Sequence, residues 1–170
     1  EQRKQKASEL IEWITTQALD DELFKSAFDF IQMGEEDKAL EKIREFLEHH
    51  PKVWNAWFLL GWGLRKLCRW EDAKQAFQES LVCGGNDNAD THNELAICLM
   101  ETGNLSGAKS ELLKALSLAP ENEKIISNLG YLSLKKGKRD EAQKYFAAVL
   151  EYCPNDKIAA AELAKLEAGI

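Results

Sequence analysis

The stretch WFLLGWGLRKLCRWEDAKQAF, residues 57–77, decides how the rest of the chain is interpreted. Its first half places four residues on one face of an α-helix, at the i, i+3, i+4 and i+7 positions: Trp57, Leu60, Gly61 and Leu64. A second apolar stripe follows after a short polar break: Ala73, Phe77, Ser80 and Leu81. Glycine inside a helix costs about 1 kcal/mol relative to alanine, so Gly61 indicates close approach of a second helix. The stretch predicts a helical hairpin that cannot bury its own apolar face.

The same residue types recur along the chain at intervals of 34 positions: Ala39 to Ala73, Gly103 to Gly137, Ala108 to Ala142 and Pro120 to Pro154. This period, the small residues and the closing proline resemble the tetratricopeptide-repeat (TPR) family, whose pattern is W-x2-L-G-x2-Y followed by Ala, Phe and Pro. One match is formed by Trp57, Leu60, Gly61, Leu64, Ala73 and Phe77. Another is formed by Ile126, Leu129, Gly130, Ala142, Phe146 and Pro154.

The resemblance implies an all-α fold, a right-handed superhelical solenoid of stacked antiparallel helix pairs. We expect four repeat units at 20–53, 54–87, 89–122 and 123–156, with the turn between the two helices of the first unit at Gly34. We expect an amphipathic N-terminal helix within 1–19, interpreted as a cap or as the remnant of an upstream repeat. The alternative is that this helix lies in the repeat groove or pairs with a second chain through Trp13.

A helix over 157–170 is expected to cap the last repeat, because a terminal repeat would otherwise expose its apolar side to water. The Asn155-Asp156 pair is interpreted as the N-cap of this helix. Its apolar side is predicted to consist of Ile158, Ala161, Leu163 and Leu166.

Composition excludes several classes of partner. The formal net charge of −7 and the pI near 5.1 argue against nucleic acid or an anionic membrane as a partner. No apolar run approaches the length of a membrane span. The four cysteines form no CxxC pair and indicate a reducing compartment, so we expect a cytoplasmic protein. The chain begins at Glu1 rather than methionine, which leaves a removed targeting segment as an alternative.

The sequence contains no catalytic motif: no glycine-rich phosphate loop, no G-x-S-x-G and no H-E-x-x-H. The run Asn86, Asn88 and Asp90 superficially resembles the start of a calcium loop, but Thr91 and Ile97 replace its required glycine and glutamate. This run is interpreted as the cap of the following helix, and His92 as a packing histidine. We therefore predict no enzyme activity, no cofactor and no metal site.

In TPR proteins the first helix of each repeat, the A helix, lines a concave groove that holds a peptide or helix. The resemblance therefore implies that peptide-binding side chains occupy the A-helix positions Phe24, Phe28, Phe58, Trp62, Arg65, Asn93, Ile97, Asn128 and Tyr131. The aromatic residues are predicted to anchor an apolar peptide or amphipathic helix, and the two asparagines to hold its backbone. The alternative is that the rings are packed between helices.

Family members that bind the C-terminal carboxylates of heat-shock chaperones use Lys, Asn and Arg side chains from three successive repeats. The corresponding positions here hold Phe24, Phe28, Leu59, Asp90 and Glu94. A register that starts one repeat later gives Phe58, Trp62, Glu94, Lys124 and Asn128. Most clamp positions in the two registers are apolar or carry the wrong charge, so the sequence argues against a carboxylate clamp.

The sequence therefore predicts a non-enzymatic scaffold for protein–protein interaction, whose partner is a protein or peptide. Three alternatives remain open at this stage. The chain is the recruitment or regulatory domain of a larger enzyme; it resembles the acidic TPR chaperones of secretion systems, although a fourth repeat departs from that family; or it self-associates through the N-terminal helix or the groove.

Overall fold

The computed structural model describes residues 22–23 and 25–169. Over these residues the backbone forms helices and the turns between them, and no strand. The chain divides into two compact units, Glu1–Gly84 (unit 1) and Gly85–Ile170 (unit 2). The predicted N-terminal helix within 1–19 lies outside the described residues.

Unit 1 contains two helix pairs, each joined by a short turn. The described helices are α1 (25–32), α2 (Glu36–His49), α3 (Trp54–Lys66) and α4 (Trp70–Val82). Helix α3 packs against both α2 and α4. The predicted break at Gly34 is confirmed, because this residue adopts a left-handed φ of 74° between α1 and α2.

Unit 2 begins with a single 3₁₀ turn, Gly85–Asp87, and continues as two helix pairs followed by one more helix. These helices are α5 (Ala89–Glu101), α6 (Leu105–Leu118), α7 (Glu123–Lys135), α8 (Arg139–Tyr152) and α9 (Lys157–Glu167). The expected all-α fold of packed helix pairs is therefore confirmed within each unit. None of the helices in the described ranges has the length and apolar character needed to cross a membrane.

Each unit holds one helix pair together by close approach of a glycine to a buried phenylalanine. A Cβ atom at Gly61 would lie 2.8 Å from the Phe77 ring, and one at Gly130 would lie 2.9 Å from the Phe146 ring. Both rings are fully buried, so neither can move aside. The sequence argument for Gly61 is thus confirmed: α3 and α4 approach too closely for any larger residue.

Helix α9 covers the apolar end of the last helix pair, as predicted for a capping helix. The Asp156 carboxylate accepts hydrogen bonds from the Ile158 and Ala159 backbone N–H groups at 2.9 and 2.8 Å, so it is the N-cap. The predicted apolar side was wrong in part, because Ile158 is 62% exposed and Ala161 is also exposed. The side that packs on the core consists of Ala159, Leu163 and Leu166, at the i, i+4 and i+7 positions.

Candidate functional site

The predicted binding residues are divided between the two units. In unit 1, Phe28 lies on α1, and Phe58, Trp62 and Arg65 lie on α3. Phe24 lies outside the described residues. Helices α5 and α7 of unit 2 carry Asn93, Ile97, Asn128 and Tyr131.

Phe28 and Trp62 form an aromatic pair on the surface of unit 1. Their ring centroids are 5.8 Å apart and the ring planes differ by only 10°, so the rings are stacked. Phe28 remains 48% exposed, whereas Trp62 is half-buried. The Lys66 ammonium lies 5.7 Å from the Trp62 ring centroid, within cation–π distance. We call Phe28, Trp62 and Lys66 the aromatic surface.

Phe58 has a different role from its two aromatic neighbours. Its ring meets the buried Phe77 ring edge-on, with centroids 5.7 Å apart and planes 60° apart. Phe58 is half-buried and therefore packs between α3 and α4. Phe58 therefore fits the alternative that the predicted anchor rings are packed between helices, whereas Phe28 does not.

The charges on α3 are all positive. The helix contains no acidic residue, and its only charged side chains are Arg65 and Lys66 in the last turn. Arg65 is half-buried, while Lys66 is exposed. Cations at this end of a helix also interact favourably with its carbonyl dipoles, which stabilises their position.

Asn93 and Asn128 are bonded to each other. The Asn128 Nδ2 donates to Asn93 Oδ1 at 2.7 Å, which joins α5 to α7. Asn93 is only 6% exposed. The amide oxygen that a peptide N–H would need on Asn93 is therefore already engaged. A backbone-binding role for these two asparagines remains a prediction; their mutual hydrogen bond is what the structure shows.

Tyr131 belongs to the apolar cluster at the C-terminal end of unit 2, and Ile97 is half-buried on α5. The Tyr131 ring meets the Phe146 ring edge-on, with centroids 5.2 Å apart. Burial raises the pKa of the Tyr131 hydroxyl, as does the Glu162 carboxylate on α9, while Lys165 acts against them. Tyr131 thus contributes to the contact that seats α9.

The sequence predicted His92 as a packing residue but missed its hydrogen-bond partners in unit 2. His92 is 4% exposed; its Nδ1 lies 2.6 Å from Glu111 Oε2 and its Nε2 lies 3.0 Å from the Asn86 carbonyl oxygen. Burial raises the pKa of Glu111, but hydrogen bonds from Lys114 and His92 outweigh it and hold that pKa below its ordinary value. His92 is the packing histidine expected, and it ties α5 to α6. No spacing rule links positions so far apart in sequence.

Within the ranges that the structure describes, no three His, Cys, Asp or Glu side chains are grouped so that they could hold a metal ion. Asn88 caps α5, as predicted for this run, because its Oδ1 accepts from the Thr91 backbone N–H at 2.8 Å. The candidate site in unit 1 is therefore the aromatic surface, and the amide pair of unit 2 is described separately.

Models of the tetratricopeptide repeat match residues 25–88, 89–122 and 124–156. The chain belongs to the tetratricopeptide-repeat family. A TPR repeat-containing protein of Pseudomonas aeruginosa is 26% identical over 129 residues, which cover 74% of this chain and 21% of that protein. The curated relatives that this TPR chain matches are longer: it spans between 16% and 34% of their lengths.

Several solved structures are similar to this one, and two of them illustrate the likeness. That of Pseudomonas aeruginosa pilF is 26% identical, with a TM-score of 0.79, and the match covers 88% of this chain and 68% of that chain. The first TPR of Spaghetti (RPAP3), solved with a bound HSP90 peptide, is 21% identical, with a TM-score of 0.64. That match covers 69% of this chain and 92% of the other, and it shows similarity of fold alone.

Proposed function

We propose that this TPR chain is a non-enzymatic scaffold that binds a peptide or a helix of another protein on its A helices. The observation that carries the proposal is the exposed Phe28 ring stacked on Trp62. Large apolar side chains at the surface of a folded protein are candidate contact points for a partner, and aromatic residues dominate the energetics of such contacts.

Energetic considerations support Phe28 as an anchor. Complete burial of a phenylalanine side chain is worth about 1.5–3 kcal/mol, so covering its exposed half would contribute roughly 1 kcal/mol. The stacked Trp62 ring restricts the rotamers of Phe28 before any partner arrives, which lowers the entropy lost on binding. A pre-oriented pair of rings is therefore a better docking point than a single mobile side chain.

The mode of binding differs from recognition of a chaperone C-terminus. The clamp position at Leu59 is buried at 4% exposure, and the position at Phe28 carries an aromatic ring instead of an amide. Neither side chain can donate a hydrogen bond to a carboxylate. The partner is therefore held mainly by apolar contact in unit 1.

The test compares partner binding by the wild type with binding by the Phe28→Ala/Trp62→Ala double variant. Partners are captured from lysate of the source cells and identified, and their dissociation constants are then measured with purified protein. We expect the double variant to lose at least about 2 kcal/mol of binding free energy, roughly thirtyfold in Kd. Circular dichroism should show unchanged helicity.

The matched control is Met33→Ala/Val82→Ala, which removes two other exposed apolar side chains of unit 1. This variant should bind like the wild type. Equal binding by the wild type and the aromatic double variant would contradict the proposal.

A second function, recruitment or regulation within a larger protein, is favoured by the lengths of the curated relatives, of which this chain spans at most 34%. The same aromatic surface would then bind a substrate or regulator on behalf of another domain. The complete open reading frame decides the matter, since a catalytic domain encoded beside these repeats is what this second function requires.

A further inference from the structure

We infer that the partner segment held by the aromatic surface is acidic and carries an apolar anchor residue. This inference rests on the proposed function and specifies the chemistry of the partner. It is drawn from two independent features of unit 1: where the aromatic residues lie and which charges accompany them.

The aromatic residues of the chain are concentrated in unit 1. Residues 1–84 hold all five tryptophans and six of the seven phenylalanines, whereas residues 85–170 hold one phenylalanine and the three tyrosines. The phenylalanine in unit 2, Phe146, is fully buried in the core. Among the described aromatic residues of the A helices, Phe28 is exposed and the others are at least half-buried. An apolar anchor of the partner would contact this ring.

The charges beside the aromatic surface are cationic in an otherwise acidic protein. The chain carries a net charge of −7, yet α3 has no acidic residue and ends in Arg65 and Lys66. In the described part of the chain, no carboxylate lies within ion-pair distance of Lys66, whose ammonium instead lies over the Trp62 ring. A carboxylate of the partner can approach this ammonium without displacing an existing ion pair.

The acidic residue within α1 is Asp29, and Glu22 precedes this helix. Glu22 and Asp29 line a cavity together with Phe30 and Met33, whereas Phe28 projects toward Trp62 on α3. Lys25, which also lines that cavity, adds a further positive charge to α1. A basic partner segment would meet the Lys66 ammonium at the aromatic surface, and like charges in close contact disfavour binding.

The complementary ligand is a short acidic segment that places an apolar side chain against Phe28 and a carboxylate at Lys66. The carboxylate would form a charge-assisted hydrogen bond with the ammonium, and the ammonium would retain its contact with Trp62. Dependence on salt alone cannot identify this arrangement, because salt also screens repulsion between an acidic ligand and the acidic chain. Charge replacement at one position is the sharper measurement.

The experiment selects twelve-residue peptides from a random displayed library against the intact chain and, separately, against Phe28→Ala/Trp62→Ala. Peptides enriched by the wild type over the double variant should carry net negative charge and at least one aromatic or large aliphatic residue. Enrichment of neutral or basic peptides would overturn the inference while leaving the proposed function intact. Failure of any peptide class to prefer the wild type over the double variant would count against both.

Synthetic copies of the enriched peptides are then titrated against Lys66→Gln, Lys66→Glu and the matched control Lys52→Glu. Lys52 is exposed in the turn before α3, so its replacement changes the net charge equally without touching the aromatic surface. We expect Lys66→Glu to weaken binding of an acidic peptide roughly tenfold and Lys66→Gln to have an intermediate effect, the size typical of an exposed ion pair that is reversed. Equal weakening by Lys52→Glu and Lys66→Glu would contradict a local role for Lys66.

Discussion

The two units of this TPR chain use one packing device but differ in their helix ends and in their surfaces. Both lock a helix pair by fitting a glycine against a buried ring, Gly61 on Phe77 and Gly130 on Phe146. Unit 1 then leaves an aromatic ring exposed on an A helix, whereas unit 2 places Tyr131 against the cluster that seats α9. The repeat pattern therefore determines the contact between glycine and phenylalanine, whereas the surface residues differ between the two units.

The helix N-termini show the same contrast. In unit 1 the N-cap residues of α2, α3 and α4 make no side-chain cap hydrogen bond: Glu35, Val53 and Arg69. In unit 2 four of the five helices are capped by a side chain that accepts from a backbone N–H: Asn88, Asn104, Asn122 and Asp156. Each such cap is worth about 1 kcal/mol. Side-chain capping therefore stabilises helices of unit 2 and does not stabilise α2, α3 or α4 of unit 1, where the candidate binding surface lies.

The distribution of chromophores allows the units to be followed separately. All tryptophans lie in unit 1, so tryptophan fluorescence reports its unfolding, while far-ultraviolet circular dichroism reports both units. Non-coincident urea transitions from the two signals would show the units unfolding independently, and the fluorescence transition should come first. A fluorescence midpoint at a higher urea concentration than the circular dichroism midpoint would show that unit 1 is the more stable unit.

The largest expected effect tests what the units share. Phe77→Ala and Phe146→Ala each remove a fully buried ring, which typically costs about 3–5 kcal/mol because a cavity remains. We expect Phe77→Ala to shift the fluorescence transition and Phe146→Ala to shift the part of the dichroism transition that fluorescence does not follow. Leu113→Ala, at an exposed position, is the control. If either phenylalanine variant lost less than about 1 kcal/mol of unfolding free energy, the packing of its ring against the glycine would not be close.

The next effect concerns the turn between the two helices of a pair. Cys68 adopts a left-handed φ of 56° where Gly34, Gly103 and Gly137 occupy the equivalent turns, and such a conformation costs a side-chain-bearing residue roughly 1–2 kcal/mol. Because glycine loses more entropy on folding, Cys68→Gly should stabilise unit 1 by about 1 kcal/mol net. Gly103→Ala should destabilise unit 2 by a similar amount. Cys68→Ala keeps the Cβ atom, so the free energy of unfolding of this variant should stay close to that of the wild type. If Cys68→Ala stabilised unit 1 as much as Cys68→Gly does, backbone strain would be excluded as the cause.

A somewhat smaller change should transfer a cap from one unit to the other. Val53 precedes α3 with φ −86° and ψ 102°, close to the −99° and 111° of the N-cap Asn88. Val53→Asn should therefore raise the stability of unit 1 by about 0.5–1 kcal/mol, and Asn88→Ala should lower that of unit 2 by about 1 kcal/mol. Urea midpoints measure both variants. Threonine is a weaker cap with nearly the same shape as valine, so the urea midpoint of Val53→Thr should lie between those of the wild type and Val53→Asn. If Val53→Asn were less stable than the wild type, apolar packing of Val53 would outweigh capping at this position.

The smallest effect is a dependence on pH in unit 2. The folded pKa of Glu111 lies below its ordinary value of 4.5, so its hydrogen bonds stabilise the fold above that pH and are lost as pH falls through the lower folded pKa. The effect is small because burial opposes the hydrogen bonds from Lys114 and His92. Glu111→Gln removes the titration, so the stability gap between wild type and variant should narrow from pH 6 toward pH 3. A gap that widens on acidification would contradict the assignment.

The sequence predicted the repeating elements well because their signals are local. Glycine and alanine at 34-residue intervals, with apolar residues at helical spacing, require only the geometry of one helix pair, and the structure confirms the turn at Gly34 and the caps at Asn88 and Asp156. The same reasoning failed on α9, where Ile158 was assigned to the buried side. In an alanine-rich helix several faces are apolar, and the neighbouring core selects among them.

The candidate site was predicted less completely, since groups that meet across helices carry no signature of their own. Among the predicted anchor rings, Phe58 and Tyr131 pack against core phenylalanines, whereas Phe28 and Trp62 form a surface pair. Nothing in their spacing separates these roles, because each depends on what the adjacent helix presents. Lys66 could have been included from sequence, since it follows Trp62 by one helical turn.

The amino-acid sequence by itself determined that this protein is built from TPR helix pairs, because small residues, apolar stripes and turn glycines act within one hairpin. Only the tertiary structure decided that Asn128 bonds Asn93, that His92 meets Glu111 and that Phe28 stays exposed beside Trp62. The physical reason is the distance along the sequence between the residues that interact. Helix formation and close packing of a hairpin are encoded over a few turns, whereas the environment of a surface side chain is set by residues from separate helices.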